Sequence, residues 1–107
     1  MDWKTDIEAE FEKAKQARGH GNEGQARVCG RRAAGIAIRE YLSRRGIRPP
    51  SVSAYDLLNL LKEDPLLSPD LKRVADYLTL RVTEGFKLPI DVDLVNEAKI
   101  FCEELLK

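Results

Sequence analysis

The sequence predicts an all-α fold, an up-and-down bundle of four long helices and one shorter one. Three observations carry this reading. Apolar residues recur at helical spacing almost throughout, side chains that cap helices stand ahead of the periodic runs, and no alternating run bounded by turn residues suggests a strand.

The first helix starts near Asp2 and carries Trp3, Ile7, Phe11 and Ala14 as a one-sided stripe. In Gly19-His20-Gly21-Asn22, Gly19 is expected to end this helix and Asn22 to cap the next, with Gln25 placed to reach back in a capping box. The second helix runs to about Arg45, with Gly46 as its terminating residue, and Pro49-Pro50 forces an extended link. Ser53 caps a third helix bearing Leu57, Leu58, Leu60 and Leu61, which must stop before Pro65. Ser68-Pro69-Asp70 opens a fourth, with Leu71, Val74, Ala75, Leu78 and Val82 on its face and Gly85 at its end. After Lys87-Leu88-Pro89-Ile90, Asp91 or Asp93 caps the last helix, which presents Leu94, Ala98, Phe101, Cys102 and Leu105.

The second helix differs from the rest. Ala26, Gly30, Ala33, Ala37 and Tyr41 form a narrow small-residue face, and Val28, Gly35, Ile38 and Leu42 form an apolar strip on another side. A helix apolar on two sides has neighbours on two sides, so it is expected at the centre. Glycine within a helix costs about 1 kcal/mol relative to alanine. Gly30 and Gly35 are therefore expected where a Cβ would collide with a neighbour.

One domain is expected over all 107 residues, 43% of them hydrophobic and 34% charged, too apolar for a disordered chain. No apolar run approaches the roughly 20 residues of a bilayer span, and residues 1–20 carry no apolar stretch of a secretory signal. Two cysteines, Cys29 and Cys102, exclude a disulfide scaffold and are expected as buried, reduced thiols of a cytoplasmic protein.

Net charge is zero, yet its distribution is uneven. Residues 26–48 hold seven arginines (Arg27, Arg31, Arg32, Arg39, Arg44, Arg45 and Arg48) against the single acid Glu40, and the segments on either side are acidic. Arg27 and Arg31 share one edge of the second helix, Arg32 and Arg39 another. Such a row can grip phosphates bidentately, or it can pair with the acids of the first, fourth and fifth helices; the expectation leans to pairing, within the chain or across a dimer. Arg44 and Arg45 suit a helix C-terminus without any ligand. Glu40 falls within the small-residue face and needs a partner, for which Arg81 is the candidate; otherwise it sits at an edge.

The stretch from Gln25 to Pro50, with its alanine-rich centre and Leu42-Ser-Arg-Arg-Gly-Ile-Arg-Pro-Pro50 turn, followed by Ala54-Tyr-Asp-Leu-Leu-Asn-Leu-Leu61, resembles the HEPN domain family. Asp91-Val-Asp-Leu through Lys107 looks like that family's last helix, so the likeness covers nearly the whole chain in element order. The resemblance implies an HEPN-like bundle that forms a homodimer. It further implies either a ribonuclease or a binding module that partners a minimal nucleotidyltransferase. The family's nucleases carry an arginine followed after four to six residues by a histidine. Here the positions after Arg81 hold Phe86, Lys87 and Leu88, and the only histidine is His20, in a Gly-His-Gly turn. Cleavage through the 2′-hydroxyl needs a group that moves a proton near neutral pH, which is the property of histidine. The sequence therefore points to a non-catalytic binding module without cofactor or metal, taking a nucleotide, RNA or protein partner. Arg27, Arg31, Arg32, Arg39 and Arg81 are the candidate anion contacts. A nuclease using atypical residues and a purely structural dimeric scaffold are the alternatives.

Overall fold

The computed structural model describes residues 2–80 and 92–107. Among these residues five helices follow one another: α1 (Trp3–Gly19), α2 (Glu23–Arg44), α3 (Ala54–Leu61), α4 (Pro69–Leu78) and α5 (Leu94–Leu105). No strand occurs among the described residues, and none of their helices is long and apolar enough to cross a membrane. A radius of gyration of 13.4 Å matches the about 13 Å of a compact 100-residue domain.

The capping side chains act where the sequence places them. Asp2, Asn22, Ser53, Ser68 and Asp93 each accept a backbone N–H of the following helix's first turn. Only half of the expected capping box forms, because the Gln25 amide turns toward Cys29 Sγ, 3.8 Å away, instead of back to Asn22. α1 ends at Gly19 as expected, while the left-handed residue of the turn is Gly21 at φ 75°, and Gly21 N–H and Asn22 N–H close the end of α1 on the Arg18 and Ala17 carbonyls. Gly46, at φ 73°, ends α2 in the same way.

Of the expected four long helices, two are long among the described residues. α1 and α2 have 17 and 22 residues, whereas α3, α4 and α5 have 8, 10 and 12. The fourth helix stops at Leu78, short of the expected Gly85, and at its end the Thr79 hydroxyl turns back on the Ala75 and Asp76 carbonyls at 3.0 and 3.1 Å. Lys62 Nζ donates to that hydroxyl at 2.9 Å and pairs with Asp76, tying the end of α3 to the end of α4. Val82 and Gly85 lie outside the described residues.

α2 is the hub, packing on α1, α3 and α5, while α4 closes the bundle against α3 and α5. Its residues Ala33, Ala34, Ala37 and Ile38 are fully buried, together with Leu57 and Leu58 of α3 and Phe101 of α5. Small side chains at the hub let three helices approach one axis closely. The two glycines separate here. A Cβ on Gly35 would stand 2.8 Å from Ala54 Cβ and 3.0 Å from its Cα, so α3 begins hard against α2. A Cβ on Gly30 would lie 3.5 Å from Ala98 Cβ, an ordinary contact, so the expected collision at Gly30 does not exist. Of the leucines on α3, Leu57, Leu58 and Leu61 are buried, while Leu60 is 43% exposed.

Candidate functional site: the arginine face of the second helix

α2 is buried on most of its circumference. Along its open strip Gln25, Arg32 and Ser43 are exposed and Val28, Ile36 and Arg39 half-buried, while Arg27 and Arg31 are half-buried on a separate edge, about 80–140° further round the helix. At 100° and 1.5 Å per residue, Arg32 and Arg39 point within about 20° of each other, and the row from Arg27 to Arg39 is about 18 Å long.

The seven arginines divide into two sets. Arg44 Nε donates to Glu40 at 2.8 Å and Nη1 to the Leu106 carbonyl at 3.1 Å, while the guanidinium lies 5.2 Å above the Trp3 ring. Glu40 thus has its partner one turn along its own helix, and Arg81 lies outside the described residues. Arg45 Nη1 reaches Asp64 at 2.9 Å and the Tyr41 hydroxyl at 2.9 Å. The Leu66 backbone N–H, more than Arg45, holds the Asp64 carboxyl below the usual carboxylate range. These two arginines fasten the C-terminal end of α2 to its neighbours.

Arg27, Arg31, Arg32, Arg39 and Arg48 form neither an ion pair nor a hydrogen bond with any described residue. The expected pairing with acids of the first, fourth and fifth helices is not made among the described residues. The acids around α2 are engaged elsewhere. Glu40 holds Arg44, Asp64 holds Arg45, and Glu23 and Asp93 share Arg18, whose guanidinium depresses both carboxyls. Arg31 is the most constrained of the row, its Nε sealed from solvent with no hydrogen-bond partner.

His20 caps α1 through its backbone N–H and is exposed in the turn. Cys29 and Cys102 are buried free thiols on separate parts of the core, and burial pushes the Cys102 thiol up to about 12. Among the described residues, no group of three His, Cys, Asp or Glu side chains converges as a metal site.

One polar residue went unread in the sequence. Glu10 is 7% exposed on α1, with Oε1 3.3 Å from Lys13 Nζ and Oε2 without any partner. The signal was present: position 10 lies three residues after Ile7 and four before Ala14, inside the apolar stripe. No family model matches this chain, and neither a curated protein nor a solved structure matches it significantly.

Proposed function

We propose that this chain is a non-catalytic helical binding module of the HEPN type, and that the arginine face of α2 holds phosphate groups of a nucleotide or an RNA strand. The observation that supports it is the row Arg27, Arg31, Arg32 and Arg39, which forms no ion pair or hydrogen bond among the described residues, Arg27 feeling only the longer-range charge of Glu23, while Arg44 and Arg45 of the same helix are both paired. Guanidinium groups on a rigid helix are already oriented, so they lose little freedom on gripping phosphate. Arg81 joins this set by the resemblance. The protein partner the resemblance implies is a minimal nucleotidyltransferase, and the assembly is a homodimer. Two free, buried thiols favour a reducing compartment, so the cytoplasm is the location in this reading. Strand cleavage is not part of it, since neither Arg81 nor the row has a histidine at the family's spacing.

Binding of a short single-stranded RNA, followed against salt from about 20 mM upward, tests the proposal, because each phosphate contact adds about 0.7 to the log–log slope. Arg32→Ala with Arg39→Ala is expected to weaken binding and flatten the slope by about 1.4. Absence of binding by RNA and nucleotides even at about 20 mM salt would make the arginines structural. Time-dependent RNA cleavage by the purified protein, lost in Arg81→Ala, would replace the binding module with a nuclease.

A further inference from the structure

α1 and α5 both pack on α2, yet they touch each other little, and between them runs an open groove of about 1220 Å³. Its floor is apolar: Trp3, Ile7 and Phe11 follow at helical spacing along α1, with Val95 of α5 and Leu106 just beyond it. Trp3 and Phe11 are only half-buried, so two aromatic rings remain open to an occupant.

Three contacts fix how the two walls stand. Arg18 of α1 bonds Asp93 at the start of α5, Lys99 sits 5.7 Å over the Phe11 ring, and Arg44 links Trp3 to the Leu106 carbonyl. The walls are therefore antiparallel, with the groove bounded by Arg18 and Asp93 at one end and by Arg44 at the other. From Trp3 to Arg18 is about 22 Å, the length of about 15 residues of helix. Glu8 comes three residues before Phe11 and Glu103 four after Lys99, so these two carboxylates lie at one level on opposite walls. Lys15 stands two turns from Glu8 toward Arg18. Between them Lys99 and Glu12 balance each other across the groove at the level of Phe11, and Lys4 lies beyond Glu8 at the Trp3 end. The side chains of Glu8, Glu12, Lys15 and Glu103 form no ion pair or hydrogen bond with any described residue, and Lys99 has only the Phe11 ring.

We infer that this groove takes an amphipathic helix of a different protein, its apolar face on Trp3, Ile7 and Phe11. A lysine or arginine of that helix sits between Glu8 and Glu103, and an acid two turns away meets Lys15. Charge complementarity selects this occupant. A second copy of the chain does not complement the groove, because a two-fold contact pairs each residue with its counterpart. The reversal that brings Glu8 to Lys15 lays Lys99 on Lys99 and Glu12 on Glu12. An anionic acyl chain is disfavoured too, since Glu8, Glu12 and Glu103 border the groove along its middle instead of leaving the charge to one end. A helix, about 10 Å across, covers both walls at once and carries its own charges to both rims. The apolar floor supplies the water-excluded centre, and the facing carboxylates supply partner choice and register. The groove is separate from the proposed phosphate face: on the helical projection of α2, Arg32 and Arg39 point about 160–180° away from Gly30, which faces α5.

The test selects binders on the immobilised protein from a displayed library of helical peptides of about 15 residues. Leucine is fixed along one face at helical spacing, and the flanking positions are drawn from lysine, glutamate and serine. Selected peptides are then titrated against the fluorescence of Trp3, the chain's single tryptophan, which lies in the groove. A saturating blue shift is expected, with selected sequences carrying a lysine two turns from a glutamate. Glu8→Lys combined with Glu103→Lys should weaken binding roughly tenfold or more. Exchanging the peptide's lysine for glutamate should restore binding to that variant. Glu8 and Glu103 are both exposed, so the variant keeps the fold, which circular dichroism checks. No binder from the library, or binders indifferent to the two reversals, overturns the inference. So does a Trp3 shift produced by palmitate and not by peptides, or one that follows self-association of the chain in sedimentation. RNA binding measured on the same variant reads the arginine face separately.

Discussion

Gly35 of α2 and Ala54 at the start of α3 are in such close contact that a Cβ on Gly35 would stand 2.8 Å from that of Ala54. This one contact sets how near α3 lies to the hub, since neither backbone has a flexible side chain to move aside.

Gly35→Ala is therefore expected to destabilise the fold, by about 1–3 kcal/mol of overpacking less the helix propensity gained. Gly30→Ala, whose Cβ meets Ala98 at an ordinary 3.5 Å, is expected to stabilise it by up to about 1 kcal/mol. Denaturant midpoints for the two variants should move in opposite directions. Equal shifts would mean that α2 and α3 are not in this contact.

Glu10 gives the second prediction. Its Oε2 is buried and unpartnered, and Lys13 satisfies the other oxygen only from the solvent side. Replacing it with leucine removes an uncompensated polar group and adds apolar contact between α1 and the core. Glu10→Leu is expected to raise stability by about 1–3 kcal/mol. A loss of stability would show that the carboxylate holds a group required by the native fold.

Acid sensitivity gives the third. Arg18 holds the Asp93 and Glu23 carboxyls below the usual carboxylate range, and the Leu66 backbone N–H with Arg45 does so for Asp64. A depressed carboxyl stabilises the fold above its unfolded pKa, about 4, and loses that contribution as pH falls through its lower folded value. The melting temperature should thus be flat from neutral pH down to about 5 and drop below about 4. Asp93→Asn keeps the cap of α5 but loses the Arg18 pair. Its acid limb is expected to be shallower, with little cost at neutral pH because the pair is half-exposed. An unchanged acid limb would remove Asp93 from the acid response.

Caps, turns and helix centres depend on a few neighbouring residues, and these were legible in the sequence. Asp2, Asn22, Ser53, Ser68 and Asp93 cap where the pattern indicates, Gly46 ends α2, and the small-residue second helix is central. The ends that hang on a side-chain choice were not. Whether Thr79 turns back on its helix and whether Gln25 completes a box or reaches Cys29 depend on what packs beside them.

The site divides along the same line. Charge content is a property of composition, so the sequence alone determined that residues 26–48 are arginine-rich and that most of them belong to a central helix of an all-α bundle. Partnership is a property of distance between helices, and only the tertiary structure decided it. Packing put Arg44 over Trp3 and Arg45 on Asp64, left Arg27, Arg31, Arg32 and Arg39 without an ion pair or hydrogen bond among the described residues, and held α1 and α5 apart along their groove. An ion pair needs its groups within about 4 Å, and no periodicity along one helix specifies what stands that close from another.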